Sequence, residues 1–297
     1  MDSIDLICGV NSIGMPFTKD NKEHIGYYDL VKEYLVSIGY NVNGYNISSL
    51  NQNNTWDLKK LLEKNYNLYK VRNIQIKSID ALRKENFLFK FVVPNDIKEK
   101  YVPTEKDKDI FLSEIIKKSE KPIFLYSTGQ NDFVTYLGAG PVEMMDPKRI
   151  PSIYENIEDA LLKMKNNIED NISMLVNLNK SMSIYVLSTY YAPLYKIFKN
   201  VIKLQNKILK RESKYEDILA YSVDYYNKAL FEICEKYENV HYIDCNFISD
   251  YCANFDFHPS KIGNELIAKK IIEQINIYIR GDNSERTETF RNSKWKK

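Results

Sequence analysis

The sequence of 297 residues has few of the side chains on which metal sites and disulfide frameworks depend. It contains three histidines and four cysteines, and no cysteine pair has the Cys-x-x-Cys spacing that is typical of zinc sites and redox pairs. We therefore predict no metal site and no cofactor. Free thiols in a reducing compartment are expected for the cysteines, which are Cys8, Cys234, Cys245 and Cys252.

A long apolar run and an excess of charge of one sign are also absent. No stretch approaches the roughly 18 apolar residues of a membrane span. Residues 1–10 hold two aspartates and no basic residue, unlike a secretory signal. The formal net charge is +2, from 42 basic and 40 acidic residues, so nothing indicates nucleic-acid binding. We predict a cytoplasmic protein without a membrane span or a nucleic-acid partner, and the oligomeric state stays open.

Two common catalytic loops are missing as well. The chain has no Gly-x-Ser-x-Gly block, which excludes the nucleophile turn of the α/β-hydrolases. It has no P-loop, and the short Gly138-Ala139-Gly140 segment lacks the third glycine of a dinucleotide-binding loop. Any enzymatic chemistry must therefore come from other turns.

Apolar runs do alternate with helical patterns along the chain. Short apolar runs predict strands at residues 3–10, 40–48, 122–127, 183–188 and 240–244. Apolar residues three and four apart predict helices at residues 24–38, 55–63, 74–91, 108–118, 153–178, 218–236 and 259–278. This alternation predicts an α/β fold, a three-layer α/β/α sandwich around a five-stranded parallel sheet.

One domain is expected over residues 1–280. Residues 65–120 fit the alternation poorly and contain Pro94 and Pro103, so we interpret them as a helical insertion. Residues 281–297 are polar and are predicted to be a disordered tail.

Reactive side chains follow the first, third and fifth predicted strands. Ser12 comes directly after the first strand, Asn131 lies in the turn after the third, and His258 lies between the fifth strand and the last helix. The carboxyl ends of parallel strands meet at one edge of the sheet, where ligands bind. We therefore expect these three groups to meet there.

Their chemistry matches the needs of acyl transfer. A serine hydroxyl becomes a good nucleophile when a base removes its proton, and the base needs a third group to orient it. Ser12 is the candidate nucleophile, His258 the base and Asp256 the orienting acid. The side-chain amide of Asn131 and the backbone N–H of Ser12 are candidate donors to an oxyanion.

The order and spacing of these groups resemble those of the SGNH/GDSL hydrolases, a superfamily of esterases, lipases, thioesterases and carbohydrate acetyl esterases. That family has Gly-Asp-Ser after the first strand, Gly-x-Asn-Asp after the third, and Asp-x-x-His-Pro before the last helix. Here the block Gly129-Gln130-Asn131-Asp132 matches fully, and His258-Pro259 followed by Gly263 matches the ending. The resemblance covers the whole domain and implies a flavodoxin-like SGNH hydrolase fold with a serine esterase site, in which Gly129 and Asp132 support the third-strand turn.

The sequence departs from the family pattern in three places. The first block reads Val10-Asn11-Ser12 where the family has Gly-Asp-Ser. Asn51 and Gln52 stand where the family has a glycine whose N–H helps to hold the oxyanion, so one of their backbone N–H groups is expected to replace it. Asp256 precedes the histidine by two residues instead of three, and it is the one carboxylate in residues 253–257.

These observations predict a serine hydrolase that cleaves a small acyl or acetyl ester through an acyl-enzyme. Two alternatives stay open. The same site could transfer the acyl group to another hydroxyl, as an O-acyltransferase does. The departures from the family pattern also fit a binding module that keeps the fold and is catalytically silent.

Overall fold

The computed structural model describes residues 2–10, 23, 25–48, 57–63, 66–84, 96–127, 157–208, 210, 216–252 and 258–280. The predicted tail at 281–297 lies outside these residues.

Five strands form one sheet in this part of the chain. They are β1 (Ser3–Val10), β2 (Asn41–Asn46), β3 (Pro122–Ser127), β4 (Ser183–Leu187) and β5 (Val240–Ile243). Neighbouring strands pair in parallel in the order β2-β1-β3-β4-β5. The predicted five-stranded parallel sheet is confirmed, and β3 has the bounds that the sequence predicted. The connection from β1 leads to β2 on one side, and the later strands are added on the other side of β1, beginning with β3. The β1/β3 pair is therefore the topological switch point of the sheet.

The described residues also contain eight α-helices. They are α1 (Tyr27–Ser37), α2 (Asp57–Leu61), α3 (Leu68–Lys84), α4 (Leu112–Lys118), α5 (Ile157–Leu178), α6 (Pro193–Ile208), α7 (Ile218–Cys234) and α8 (Lys261–Arg280). Helix α1 packs against α8, and α5 packs against α7. Because parallel crossovers are right-handed, these two pairs cover opposite faces of the sheet. The layers are those of the predicted sandwich.

The helix predictions were less accurate than the strand predictions. Helix α3 begins six residues before its predicted start, and the helix predicted at 108–118 is divided into a 3₁₀ turn (Glu105–Asp109) and α4. No helix was predicted for residues 193–208, where α6 lies, although apolar residues recur there at helical spacing. The segment interpreted as an insertion holds α3, α4 and two 3₁₀ turns between β2 and β3.

The central strands are buried on both faces. Every residue of β3 and β4 is buried, as is typical of parallel strands covered by helices on both sides. Tyrosine is a major component of this core. Six tyrosines are less than 2% exposed, namely Tyr27, Tyr126, Tyr185, Tyr190, Tyr195 and Tyr226. Buried hydroxyls need partners, and the Tyr126 hydroxyl accepts a hydrogen bond of 3.1 Å from Asn171 of α5.

A buried amide of α7 holds the turns after β4 and β5 together. Asn227 is fully buried, and its Oδ1 accepts from the backbone N–H of Thr189 at 2.9 Å. Its Nδ2 donates to the Thr189 carbonyl at 2.8 Å and to Oδ1 of Asn246 at 3.2 Å. One side chain thus bonds to polar groups of two turns, at Thr189 and at Asn246, and neither of these residues is a predicted site residue.

Gly9 has no side chain, which allows β1 to approach the segment after β2 closely. A Cβ at this position would lie 2.7 Å from Cγ1 of Ile47. We expect Gly9→Ala to lower the free energy of unfolding by about 1–3 kcal/mol through overpacking, measured by urea denaturation. The same substitution is expected to cost less in an Ile47→Ala background, because the crowded atoms are then absent. Equal costs in the two backgrounds would contradict the contact.

Candidate active site

His258 is the one predicted site residue that lies among the described residues. The other predicted residues lie outside them, namely Asn11, Ser12, Asn51, Gln52, Gly129, Asn131, Asp132 and Asp256. Their positions therefore stay predictions. The structure does describe the strand ends and the turns from which the predicted loops leave.

The segments that carry Ser12 and Asn131 leave the sheet from adjacent positions. Val10 ends β1, Ser127 ends β3, and these two residues are partners in the parallel register. Ser12 follows two residues after Val10, and Asn131 four residues after Ser127. Paired strands lie about 4.8 Å apart, and each residue extends the chain by at most about 3.6 Å. Both loops therefore begin at the switch point, where open α/β sheets bind ligands.

His258 lies in a buried turn just before α8. The residue is 7% exposed, and the next residue, Pro259, forms a bridge with Cys252 at the end of the 3₁₀ turn after β5. The backbone N–H of Ser260 donates to the Tyr251 carbonyl at 2.7 Å. These contacts hold the histidine turn against the segment that follows β5.

The first turn of α8 packs closely against the same segment. The hydroxyl of Ser260 accepts a hydrogen bond from the N–H of Gly263 at 3.1 Å, as an N-cap residue does. A Cβ on Gly263 would lie 2.9 Å from Cβ of Pro259 and 2.9 Å from the Tyr251 carbonyl oxygen. The glycine that completes the resemblance at this end of the chain is therefore required by close approach of the helix to the histidine turn.

Asn264 joins the histidine turn to α1. Its side chain is buried, and its Nδ2 donates to the carbonyls of Pro259 and Ser260 at 3.1 and 3.0 Å. Its Oδ1 accepts from the N–H of Tyr27, the first residue of α1, at 3.1 Å. Helix α1 is the first described helix after the segment that carries Ser12.

A second buried amide fixes the segment after β2. The N–H of Ser48 donates to Oδ1 of Asn46 at 3.0 Å, which closes a tight turn. Gln75 of α3 is fully buried, and its Nε2 donates to the carbonyls of both residues, at 3.1 and 2.7 Å. The Arg72 guanidinium donates to Oε1 of Gln75 at 3.1 Å. The chain is thus fixed three residues before Asn51, one of the predicted oxyanion donors.

The thiol of Cys8 and the hydroxyls of Tyr27 and Ser48 form a cluster next to these turns. The Cys8 thiol of β1 lies 3.4 Å from the Tyr27 hydroxyl and 3.6 Å from the Ser48 hydroxyl. Burial raises the pKa of Cys8 to about 11 and raises the pKa of Tyr27 well above its usual value. The cluster is therefore neutral at physiological pH and serves as packing and hydrogen bonding between the segments that follow β1 and β2.

Gln75 and Asn264 were not predicted from the sequence. Each is an amide inside an apolar helical stripe, since Gln75 lies between Val71 and Ile79 and Asn264 lies three residues before Ile267. A polar residue at a core position of a helix is the signal that would have drawn attention to both, because a buried amide needs partners.

Metal ligands and membrane spans are also not found in the described residues. Within them, no group of three histidine, cysteine, aspartate or glutamate side chains is arranged to hold a metal ion. None of the helices described is both long and apolar enough to cross a membrane.

The parallel sheet, its β1/β3 switch point and the buried histidine turn define an open α/β protein, a class in which ligands bind at the carboxyl ends of the strands. A family model for GDSL-like lipases and acylhydrolases matches residues 12–271. The chain belongs to this family, and it is an esterase. The resemblance seen in the sequence is confirmed at the level of the family.

The chain is also similar in fold to solved esterase structures. An esterase from Pseudoalteromonas sp. is 14% identical, with a TM-score of 0.46, over 94% of this chain and 100% of that one. A catalytic mutant of an acetylxylan esterase from Geobacillus stearothermophilus is 13% identical, with a TM-score of 0.44, over 92% and 94% of the two chains. A carbohydrate esterase of family 3 from Talaromyces cellulolyticus is 10% identical, with a TM-score of 0.43, over 95% and 99%. A comparison with curated protein sequences found no significant match.

The raised thiol pKa values give a prediction for alkylation. Burial holds Cys8 at a pKa of about 11, above its ordinary value near 9, and also raises the pKa of Cys234 and Cys245. At pH 8 these thiols stay protonated, and the thiolate is the reactive form. We expect iodoacetamide to modify at most Cys252 in the folded protein and all four cysteines after denaturation, measured by peptide mass spectrometry. Rapid modification of Cys8 in the folded protein would contradict its burial.

The close approach at Gly263 gives a second prediction for this region. We expect Gly263→Ala to lower the free energy of unfolding by about 1–3 kcal/mol, because the added methyl group overlaps the Tyr251 carbonyl and Pro259. A thermal melt measures the change. Glu265→Ala, two residues further along α8 on its exposed face, is the matched control and is expected to change stability by about 0.5 kcal/mol or less. Equal melting temperatures for Gly263→Ala and the control would contradict the contact.

Proposed function

We propose that the chain cleaves small acyl esters through an acyl-enzyme, with Ser12 as nucleophile, His258 as general base and acid, and Asp256 as the group that orients the imidazole. The observation that carries the proposal is the register of Val10 with Ser127, which starts the Ser12 and Asn131 segments side by side at the switch point. The hydrogen bonds through which Asn264 links the His258 turn to the start of α1 also support the proposal.

The proposed reaction proceeds in two halves. The Ser12 oxygen attacks the acyl carbon while its proton passes to His258, and the carbonyl electron pair moves onto the oxygen to form an oxyanion. Collapse of this intermediate breaks the ester C–O bond, and His258 returns the proton to the leaving alcohol. Water then repeats the sequence on the acyl-enzyme and releases the acid and free Ser12. The proposed steps balance without an added cofactor.

Oxyanion stabilisation is assigned to donors from three turns. The backbone N–H of Ser12 and the side-chain amide of Asn131 are two of them, and a backbone N–H of Asn51 or Gln52 is the third. Gln75 supports this assignment because it fixes the Asn46–Ser48 turn just before the third donor segment.

The remaining site residues are proposed to hold the turns in shape. Gly129 and Asp132 flank Asn131 in the block after β3, and Asn11 precedes the nucleophile. Short polar side chains in such turns hydrogen-bond to nearby backbone and so restrict the loop.

Hydrolysis of p-nitrophenyl acetate and butyrate tests the nucleophile. We expect Ser12→Ala to lower kcat by about 10³-fold or more, because the acyl-enzyme can no longer form. Ser37→Ala, which changes an exposed serine of α1, is the matched control and is expected to keep wild-type activity.

A serine-directed phosphonate gives the second readout of the same prediction. Mass spectrometry is expected to locate the label on Ser12 alone, and His258→Ala is expected to slow labelling strongly. Wild-type turnover by Ser12→Ala, or a label on another serine, would show that the proposed nucleophile is wrong.

A further inference from the structure

We propose that Asn264 is a positioning residue that sets the distance between the His258 turn and the segment that carries Ser12. This inference rests on the proposed function, because it assigns Asn264 a role in the alignment of the proposed base with the proposed nucleophile. Asn264 acts through the backbone on both sides and does not itself take part in the reaction.

The contacts of Asn264 use the full hydrogen-bonding capacity of the amide nitrogen and bridge two distant parts of the chain. Both Nδ2 hydrogens go to carbonyls of the histidine turn, at Pro259 and Ser260, over 3.1 and 3.0 Å. The carbonyl oxygen accepts from the N–H of Tyr27, 237 residues away in sequence. The side chain is 1% exposed, so water does not compete for these bonds.

The first turn of α1 relies on Asn264 for one of its hydrogen bonds. An N-cap side chain usually satisfies one of the free N–H groups in the first turn of a helix. The N-cap of α1 is Gly26, which has no side chain, and the nearby Asp29 carboxylate accepts from the N–H of Gly26 at 2.9 Å. Asn264, from another helix, therefore serves the first N–H group within α1.

Tyr27 carries the link onward to β1. Its hydroxyl lies 3.4 Å from the Cys8 thiol, and Cys8 is two residues before Val10, where β1 ends. The histidine turn, Asn264, Tyr27 and β1 therefore form a continuous hydrogen-bonded path. Asn264, Tyr27 and Cys8 are buried, so movement of the histidine turn relative to β1 requires a buried hydrogen bond to break.

A matched pair of isosteric substitutions tests the role. Asn264→Asp keeps the acceptor for the Tyr27 N–H and removes both donors to the histidine turn. Asn227→Asp makes the same change in α7, where the amide is equally buried and also joins one acceptor contact with two donor contacts. Each variant loses two donor contacts, one buried and one part-buried, so the two variants are expected to have similar melting temperatures.

Kinetics at 15 °C, with p-nitrophenyl acetate and both variants fully folded, then separate positioning from stability. We expect Asn264→Asp to lower kcat by about 10–100-fold and KM to change by about twofold or less, because a misplaced base costs rate and not substrate binding. The rate constant for phosphonate labelling is expected to fall by the same factor. Asn227→Asp is expected to keep kcat within about twofold of the wild type.

A second variant tests the link without an added carboxylate. Asn264→Ser removes the contact with Tyr27, and its hydroxyl can donate to the Ser260 carbonyl four residues earlier. The same loss of kcat is expected. Wild-type kcat in either Asn264 variant would overturn the proposal. So would equal losses in Asn264→Asp and Asn227→Asp, or a failure of both Asn264 variants to fold while Asn227→Asp folds, since the amide would then serve only global stability.

The Ser12→Ala variant, measured in the same assays, distinguishes the two proposals. If Ser12→Ala is inactive and Asn264→Asp is fully active, only the positioning role fails. If Ser12→Ala keeps wild-type activity, the proposed nucleophile fails independently of the result at Asn264.

Discussion

The parallel pairing of β1 with β3 is the constraint on which the rest of the structure depends. It brings Val10 and Ser127 into register at the carboxyl edge of the sheet, at the one place where neighbouring crossovers lead to opposite faces. In open α/β sheets, the loops that leave from such a pair of strands diverge and leave a crevice in which ligands bind. A register shift of one residue would turn the side chains of a strand to the other face of a sheet that is buried on both sides. The burial of β3 therefore fixes the register at this edge of the sheet and also contributes to the stability of the core.

Buried amides satisfy backbone groups in the described turns that follow β2 and β4. Ser48 and Thr189 are fully buried in these turns, where their backbone groups are no longer paired with a neighbouring strand. Gln75, Asn227 and Asn264 each combine donors and an acceptor on a short side chain. Gln75 bonds to two carbonyls of one turn, Asn227 to the Thr189 backbone and the Asn246 side chain, and Asn264 to two separate stretches of backbone. The same bonds restrict the turns, because breaking one leaves a buried group unsatisfied. The hydrogen bonds that satisfy these buried polar groups therefore also make the turns rigid.

The sequence was informative where the relevant pattern is local. The apolar run at Pro122–Ser127 predicted β3 with its observed bounds, and the buried turn at His258 lies just before the last helix, as expected. Helix α6 was not predicted, although the apolar periodicity that indicates it is local. The roles of Gln75 and Asn264, in contrast, depend on distant parts of the chain. Their partners lie 27 to 29 and 237 residues away for the bonds that matter, and no spacing rule identifies such partners before the fold is known.

The departures from the family pattern are easier to understand once these anchors are considered. A glycine after β2 is useful where the backbone must bend freely to present its N–H, but Gln75 and the Asn46 side chain hold the preceding turn at fixed points. A non-glycine residue can then present its N–H, provided that it needs no positive φ. Asp256, the proposed acid, stands two residues before His258 instead of three. The histidine turn is held from its C-terminal side, through Pro259 and Ser260. Under the proposed function, the acid therefore has to reach the imidazole ring but does not have to fix the turn, which is a weaker requirement.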